Sequence, residues 1–463
     1  MEEGWGEISV ENKHLHMAST LTSVILVIIF CGSVLSARTN LYSSNGQDDK
    51  TALAPVADDG ICKSMVEPQG YACQEHKVTT QDGYILSMQR IPVGRSGETP
   101  GDRPPVLLQH GLLMVSSDTC TAATSDGITW LLNSPDQSLA FILADNGFDV
   151  WLANTRGTKY SRGHTSLSPD DSAYWDWSWD QLVTYDLPAT FQYVHDQTGQ
   201  KLHYVGHSLV NPFVAFILFG NSFEHVTGDI KTVILFQGTL IALAAFSQEQ
   251  LLNMLRSAAL LSPIAYLSHM PSPIARTAAE NFIAEGYYWL GIDEFDPKGE
   301  AVAKLLKTIC KKPGINCYDL LTSFTGKNCC LNSSSIDVFL DHEPQSTATK
   351  NMVHLAQMIR GGTIQMYDYG DEDKNMEHYG QATPPVYNMT SIPDDLPLFL
   401  SYGGQDALSD VDDVQVLLDN LKDHDGDKLV IQYREDYAHA DFVMAVNAKQ
   451  VVYDPLMAFF RLQ

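Results

Sequence analysis

The segment Leu202-His203-Tyr204-Val205-Gly206-His207-Ser208-Leu209 reads as a short apolar strand that runs straight into a glycine and a serine. Leu202 to Val205 has the composition of a buried strand, and Gly206-His207-Ser208 marks the sharp turn that ends it. A serine on such a strand-to-helix turn has its hydroxyl pushed outward, and small neighbours relieve the crowding of Cβ atoms. Taken alone, Gly-x-Ser also describes many plain tight turns. Its meaning depends on what the rest of the chain sets beside it.

Upstream, Tyr84 to Ile91 alternates as a strand after the turn Gln81-Asp82-Gly83, and Val106-Leu107-Leu108 is a short buried strand ending at His110-Gly111. Ser138 to Asn146 has helical periodicity and closes at Gly147. Phe148 to Ala153 is the next strand, followed by Asn154-Thr155-Arg156-Gly157, and Asp180 to Gln197 predicts a helix broken or restarted at Pro188. Downstream, Leu396 to Tyr402 is a strand ending in Gly403-Gly404-Gln405-Asp406. Val411 to Leu421 is an amphipathic helix, Lys428 to Tyr433 another strand, and Val443 to Leu462 a final helix. Strands alternating with helices predict an α/β fold with a mostly parallel central sheet flanked by helices. Residues 38–265 and 394–463 are assigned to this core. Residues 266–393, richer in helix-like and loop-like sequence and holding four cysteines, are predicted to be an inserted, mainly helical cap or lid.

Three residues follow strand ends, where open α/β sheets place their chemistry. They are Ser208, Asp406 and His439. Individually, Asp406 could be the N-cap of the next helix and His439 an ordinary surface or core histidine. Together, Ser…Asp…His is the order of the α/β-hydrolase fold. A serine hydroxyl is a poor nucleophile unless a histidine takes its proton, and the histidine needs a carboxylate to fix its tautomer. Acyl transfer also needs donors for the oxyanion. The backbone N–H of Leu112, after the early strand, and of Leu209, after the nucleophile, are placed to supply them.

His110-Gly111-Leu112-Leu113, Asn154-Thr155-Arg156-Gly157, Tyr204 to Leu209, Gly404-Gln405-Asp406-Ala407-Leu408 and His439-Ala440-Asp441-Phe442 resemble the acid lipases, which include gastric, lysosomal and plant triacylglycerol lipases. Gly70-Tyr71 and Thr80-Gln81-Asp82-Gly83-Tyr84 fit the plant branch. The resemblance runs from about residue 60 to the end. It implies hydrolysis of triacylglycerols or sterol esters under a helical lid, without cofactor or metal, by the triad Ser208, Asp406 and His439 with oxyanion donors Leu112 and Leu209. The partner it implies is a lipid ester at a lipid–water interface. A non-catalytic lipid-binding protein, or an esterase for soluble esters, would use the same residues differently.

One departure interrupts the nucleophile motif. Its fifth position is Val210 where a glycine is needed, and Asn211-Pro212 and an apolar run follow. The expected continuation stands at Gly238-Thr239-Leu240-Ile241-Ala242-Leu243. Joining Leu209 to Gly238 gives an unbroken G-x-S-x-G entering a helix. Valine codons begin GT and Gln237 can be CAG, so residues 210–237 can start and end in frame with splice signals. Five of these 28 residues are Phe, against 18 in the whole chain, as T-rich intron sequence would give. Residues 210–237 are therefore expected to be translated intron; a genuine inserted hairpin is the alternative.

At the amino terminus, Leu21 to Cys31 is an apolar run followed by small residues, the pattern of a cleaved secretory signal over residues 17–37. Residues 1–16 carry four Glu and a single Lys, the wrong charge for a signal, so Met17 is the expected start and 1–16 an upstream extension. Of eight Cys, Cys31 leaves with the signal; the odd number remaining means that at least one thiol is free or pairs between chains. Asn332 and Asn388 head N-glycosylation sequons. An extracellular, vacuolar or lysosomal destination through the secretory pathway is expected.

With 44% hydrophobic residues the 463-residue chain can bury a core, and a net charge of -27 opposes binding to nucleic acid. No apolar run reaches the roughly 20 residues of a membrane span. Trp175, Trp177 and Trp179 read better as packing than as a ligand platform, and Asp371-Glu372-Asp373-Lys374 as an exposed loop.

Overall fold

The computed structural model describes residues 60–96, 102–111, 127–207, 238–271, 276, 279–295, 322, 325–332 and 346–463. Ser208, Leu209, Leu112, the segment 210–237 and the amino-terminal 1–37 lie outside the described residues.

Nine strands make one sheet in the order β1-β2-β4-β3-β6-β7-β10-β11, with β5 on the flank of β2. The middle of the sheet is parallel: β3 (Pro105–Gln109) pairs with β4 (Asp149–Ala153) and β6 (Leu202–His207). Strand β7 (Leu255–Leu261) joins β6 to β10 (Leu398–Gly403), and β10 pairs with β11 (Leu429–Arg434), all parallel. Strands β1 (Gln74–Thr79) and β2 (Tyr84–Ile91) add an antiparallel edge, and β2 also pairs antiparallel with β4 and β5 (Gly163–His164). Every residue of β3, β4, β6 and β10 is buried, the expected state of strands covered on both faces by crossover connections. Edge strand β11 instead exposes Val430, Ile431 and Tyr433. A small antiparallel pair, β8 (Glu294–Phe295) with β9 (Thr347–Ala348), stands apart.

The helices follow the apolar periodicity, with two differences. The run expected from Asp180 to Gln197 is a short turn at Trp179–Gln181, a π-turn at Leu182–Asp186, then the helix Leu187–Thr198. Pro188 closely follows the π-turn, where the regular i→i−4 bonding is already interrupted. The expected final helix is likewise divided: Asp441–Met444, a π-turn at Lys449–Tyr453, and Asp454–Phe460, with a proline again opening the last piece. The acidic run expected as a loop opens the helix Glu372–Tyr379. Its first turn is capped by the Asp371 carboxylate, which accepts from the Asp373 and Lys374 amides.

The helix Gly238–Ser247 is buried on every side. Its composition, GTLIALAAFS, is apolar all round, as a helix enclosed by the core must be. The three tryptophans are packing residues: Trp175, Trp177 and Trp179 are at most 3% exposed, and Trp179 stacks on His354 at 4.4 Å. Among the described residues no helix is long and apolar enough to cross a membrane.

Candidate active site

The strand ends are level because the ladders hold them so. Gln109 pairs with Gly206, and His207 and Ser401 both pair with Leu261 from opposite sides of β7. The chain therefore leaves β3 at His110-Gly111, β6 after His207, β10 at Gly404 and β11 before His439 along one carboxyl edge.

Asp406 and His439 meet there. His439 Nδ1 lies 2.9 Å from each carboxylate oxygen of Asp406, and both side chains are fully buried. A carboxylate only accepts, so Nδ1 carries a proton, and in the neutral ring Nε2 is the nitrogen with the lone pair. That Nε2 is buried and has no hydrogen-bond partner among the described residues. Asp406 Oδ1 also accepts the amides of Leu408 and Ser409 at 2.9 Å, which fixes the carboxylate plane. Asp406 is not the N-cap of the next helix. Asp410 holds that position and accepts from the Asp412 amide.

Two glycines make the approach of the two loops possible. A Cβ on Gly403 would stand 2.1 Å from the Tyr437 carbonyl oxygen, and one on Gly404 would stand 2.7 Å from the Glu435 oxygen. In their absence the Gln405 amide donates to Tyr437 O at 2.9 Å and the Gly404 amide to Arg434 O at 2.9 Å. The Gly-Gly pair in the sequence before Asp406 was the legible trace of this contact.

Strand β6 ends on the same site. His207 is buried, its ring centroid 5.2 Å from that of His439, and its Nε2 donates to the His439 carbonyl oxygen at 3.2 Å. Burial and the neighbouring His439 push its pKa well below the ordinary histidine value. Helix Gly238–Ser247 begins against the strand end: a Cβ on Gly238 would stand 2.4 Å from His207 O and 2.7 Å from Gln109 O. Tyr204 Oη donates to the Gly238 carbonyl at 2.6 Å. Only a glycine fits there.

On the β3 side, Thr155 N–H points at His110 Nε2 at 3.4 Å, and His110 Nδ1 bonds the Gly111 carbonyl. Burial drives the His110 pKa down to about 4, so this ring is neutral. The next residue, Leu112, lies outside the described residues. Arg156, from Asn154-Thr155-Arg156-Gly157, is a structural centre. Its buried guanidinium reaches Asp186 Oδ1 at 2.8 Å and Asp82 Oδ2 at 2.6 Å, and lies over the Tyr84 ring.

Asn388 is exposed and Asn332 half-buried. Disulfides join Cys62 to Cys73 and Cys329 to Cys330. A cavity of about 770 Å³ lies beyond the Asp406 loop, lined by Lys327, Gln405 and Glu435 among others, and does not include His439. No group of three or more metal-ligating side chains occurs among the described residues.

Residues 62–122 match the family description "Partial alpha/beta-hydrolase lipase region". Triacylglycerol lipase 2 of Arabidopsis thaliana is 50% identical over 461 residues, 99% of each chain. The gastric triacylglycerol lipase of Homo sapiens is 36% identical over 407 residues, 85% of this chain and 89% of that one. A solved structure from Sulfolobus solfataricus aligns with a TM-score of 0.51 at 13% identity, over 85% of this chain and 95% of that one, a likeness of fold alone.

Proposed function

The chain belongs to the acid lipase family and is a lipase, a carboxylic-ester hydrolase of the α/β-hydrolase fold, and on that premise we propose that it cleaves triacylglycerols through an acyl-enzyme on Ser208. The buried His439–Asp406 pair supports this reading most directly. Its Nε2, without a partner among the described residues, is the atom that would take the proton of a serine nucleophile. Ser208 Oγ attacks the acyl carbonyl as His439 Nε2 takes its proton. Asp406 holds the Nδ1 proton and stabilises the imidazolium. The N–H groups of Leu112 and Leu209 receive the oxyanion. His439 then returns the proton to the departing alcohol, and water hydrolyses the acyl-enzyme by the same steps in reverse roles.

Triacylglycerol is preferred to sterol ester because relatives at 50% and 36% identity carry the former in their names. A lipid–water interface as the working site, a secretory route and glycosylation at Asn332 and Asn388 belong to the same reading. So does the absence of residues 210–237 from the working enzyme, which the contact of Gly238 with His207 supports.

Fatty-acid release from emulsified trioctanoin and triolein, beside a soluble short-chain p-nitrophenyl ester, tests the reading. The expected result is turnover of the emulsions, abolished by Ser208→Ala and by His439→Ala. Activity confined to the soluble ester would overturn the substrate assignment, and full activity in Ser208→Ala would overturn the site.

A further inference from the structure

The motif His439-Ala440-Asp441-Phe442 contains a second carboxylate that acyl transfer does not use. Asp441 is fully buried. Its Oδ2 accepts the Ala438 amide at 2.8 Å and the Cys329 amide at 3.1 Å, and its Oδ1 accepts the Cys330 amide at 3.2 Å. These acceptances tie two segments together, the turn that presents His439 and the stretch 325–331. Burial raises the Asp441 pKa to about 6, with the three amides pulling the other way.

The stretch 325–331 spans both catalytic loops. The Thr325 carbonyl accepts the His439 amide at 3.1 Å and the Ala407 amide at 3.3 Å, so one oxygen is shared by the neighbour of the acid and by the base. Gly326 bridges to Asp406 itself and Leu331 to Ala445. The Val446 amide donates to Cys330 O at 2.9 Å. Gly326 has φ of +91°, and a Cβ there would stand 1.8 Å from Gln405 O, so the approach depends on that residue being glycine. The disulfide between the adjacent Cys329 and Cys330 closes a small ring around their peptide bond, limiting how the two amides that face Asp441 can turn.

We propose that Asp441 is a positioning residue for the base: its carboxylate pins the strap 325–331 against the His439 turn and thereby holds the His439–Asp406 pair in register. The proposal rests on the reading of His439 as base. A carboxylate is suited to the task because it has two acceptor oxygens and no donor, and three converging N–H groups need acceptors. An amide of the same shape keeps one oxygen and turns an NH2 group toward a donor, leaving a buried N–H without a partner. The strap then shifts, and with it the Thr325 oxygen that both loops share. Misplacement of a catalytic group by about 1 Å costs on the order of 10²-fold in rate.

The test uses the full chain carrying Asp441→Asn, with sites counted by burst titration with a fluorescent phosphonate so that kcat is per competent site. The expected result is a kcat lowered about 10²-fold, with KM for a soluble p-nitrophenyl ester within about twofold of the parent, since no substrate contact has changed. Loss of the downfield Nδ1 proton resonance of His439 should accompany it. Gly326→Ala, which displaces the strap without touching Asp441, should lower kcat in the same way and serves if Asp441→Asn does not fold. A kcat per site equal to the parent's, with only the melting temperature lowered, overturns the proposal. His439→Ala separates the two readings. If it retains activity the base assignment fails; if it is inactive while Asp441→Asn is unimpaired, only the role of Asp441 fails.

Discussion

Excising residues 210–237 should turn a poor catalyst into a competent one, and the geometry around Gly238 sets the expected size of the effect. A Cβ on Gly238 would lie 2.4 Å from His207 O. With a Cα–Cβ bond of about 1.5 Å, and a carbonyl oxygen about 2.4 Å from its own Cα, the two Cα atoms are no more than about 6.5 Å apart. Four consecutive residues of a tight turn have their ends within about 7 Å. Two residues, Ser208 and Leu209, therefore suffice to connect His207 to Gly238, and the joined chain makes the sharp elbow that a nucleophile requires. In the 463-residue chain the same gap is closed by 30 residues, about four doublings of loop length, at a cost of about 2 kcal/mol in closure entropy. The larger effect is catalytic. In the proposed mechanism the Leu209 N–H is an oxyanion donor that needs Gly238 as the next residue, and loss of one oxyanion donor costs about 10²–10³ in kcat. Both forms should be purified and assayed on emulsified trioctanoin, with denaturant midpoints measured in parallel. The shortened form should be more stable and at least about 10²-fold faster per titrated site. Equal kcat values in the two forms, or a shortened form that does not fold while the long one turns over, would refute the reasoning.

Arg156→Met should destabilise the protein by about 3–5 kcal/mol in urea unfolding, because it strands the buried Asp186 carboxylate without its cation; a loss below about 1 kcal/mol would show that the cluster is not structural. Acid should weaken the fold through its buried histidines. Burial, with Arg256 nearby, lowers His203 to about 3, and burial lowers His110 to about 4. Below about pH 6.5 the unfolded chain takes up protons that these rings refuse, so their contribution to stability falls as pH drops toward 4. Asp441, raised to about 6, acts in the opposite direction, since between about pH 6 and 3.8 the folded state binds the extra proton. Denaturant midpoints at pH 7 and pH 5 should differ less in His203→Phe than in the parent, and an unchanged difference would count against this assignment.

Strand and helix periodicity in the sequence carried the alternation of the core, because an element buried on one or both faces has to repeat its apolar residues at its own period. The candidates Ser208, Asp406 and His439 could be picked out for the same reason, each standing just past an apolar run, and the structure brings Asp406 and His439 together. That the G-x-S-x-G motif is interrupted after Leu209 is likewise a local fact of the sequence. Periodicity could not show that the helices Asp180–Gln197 and Val443–Leu462 are divided by π-turns, because the apolar pattern continues through them while the backbone hydrogen bonding changes. Nor could it single out β7, which contributes the level pairing of His207 with Ser401. The partner of His439 Nδ1 could be guessed from residue type, but the strap 325–331 could not. Cys329, whose amide donates to Asp441, is 112 positions from it, and nothing in the composition of either segment requires the other. Only the closed tertiary structure brings those amides to one carboxylate, because burial leaves them no water to bond instead.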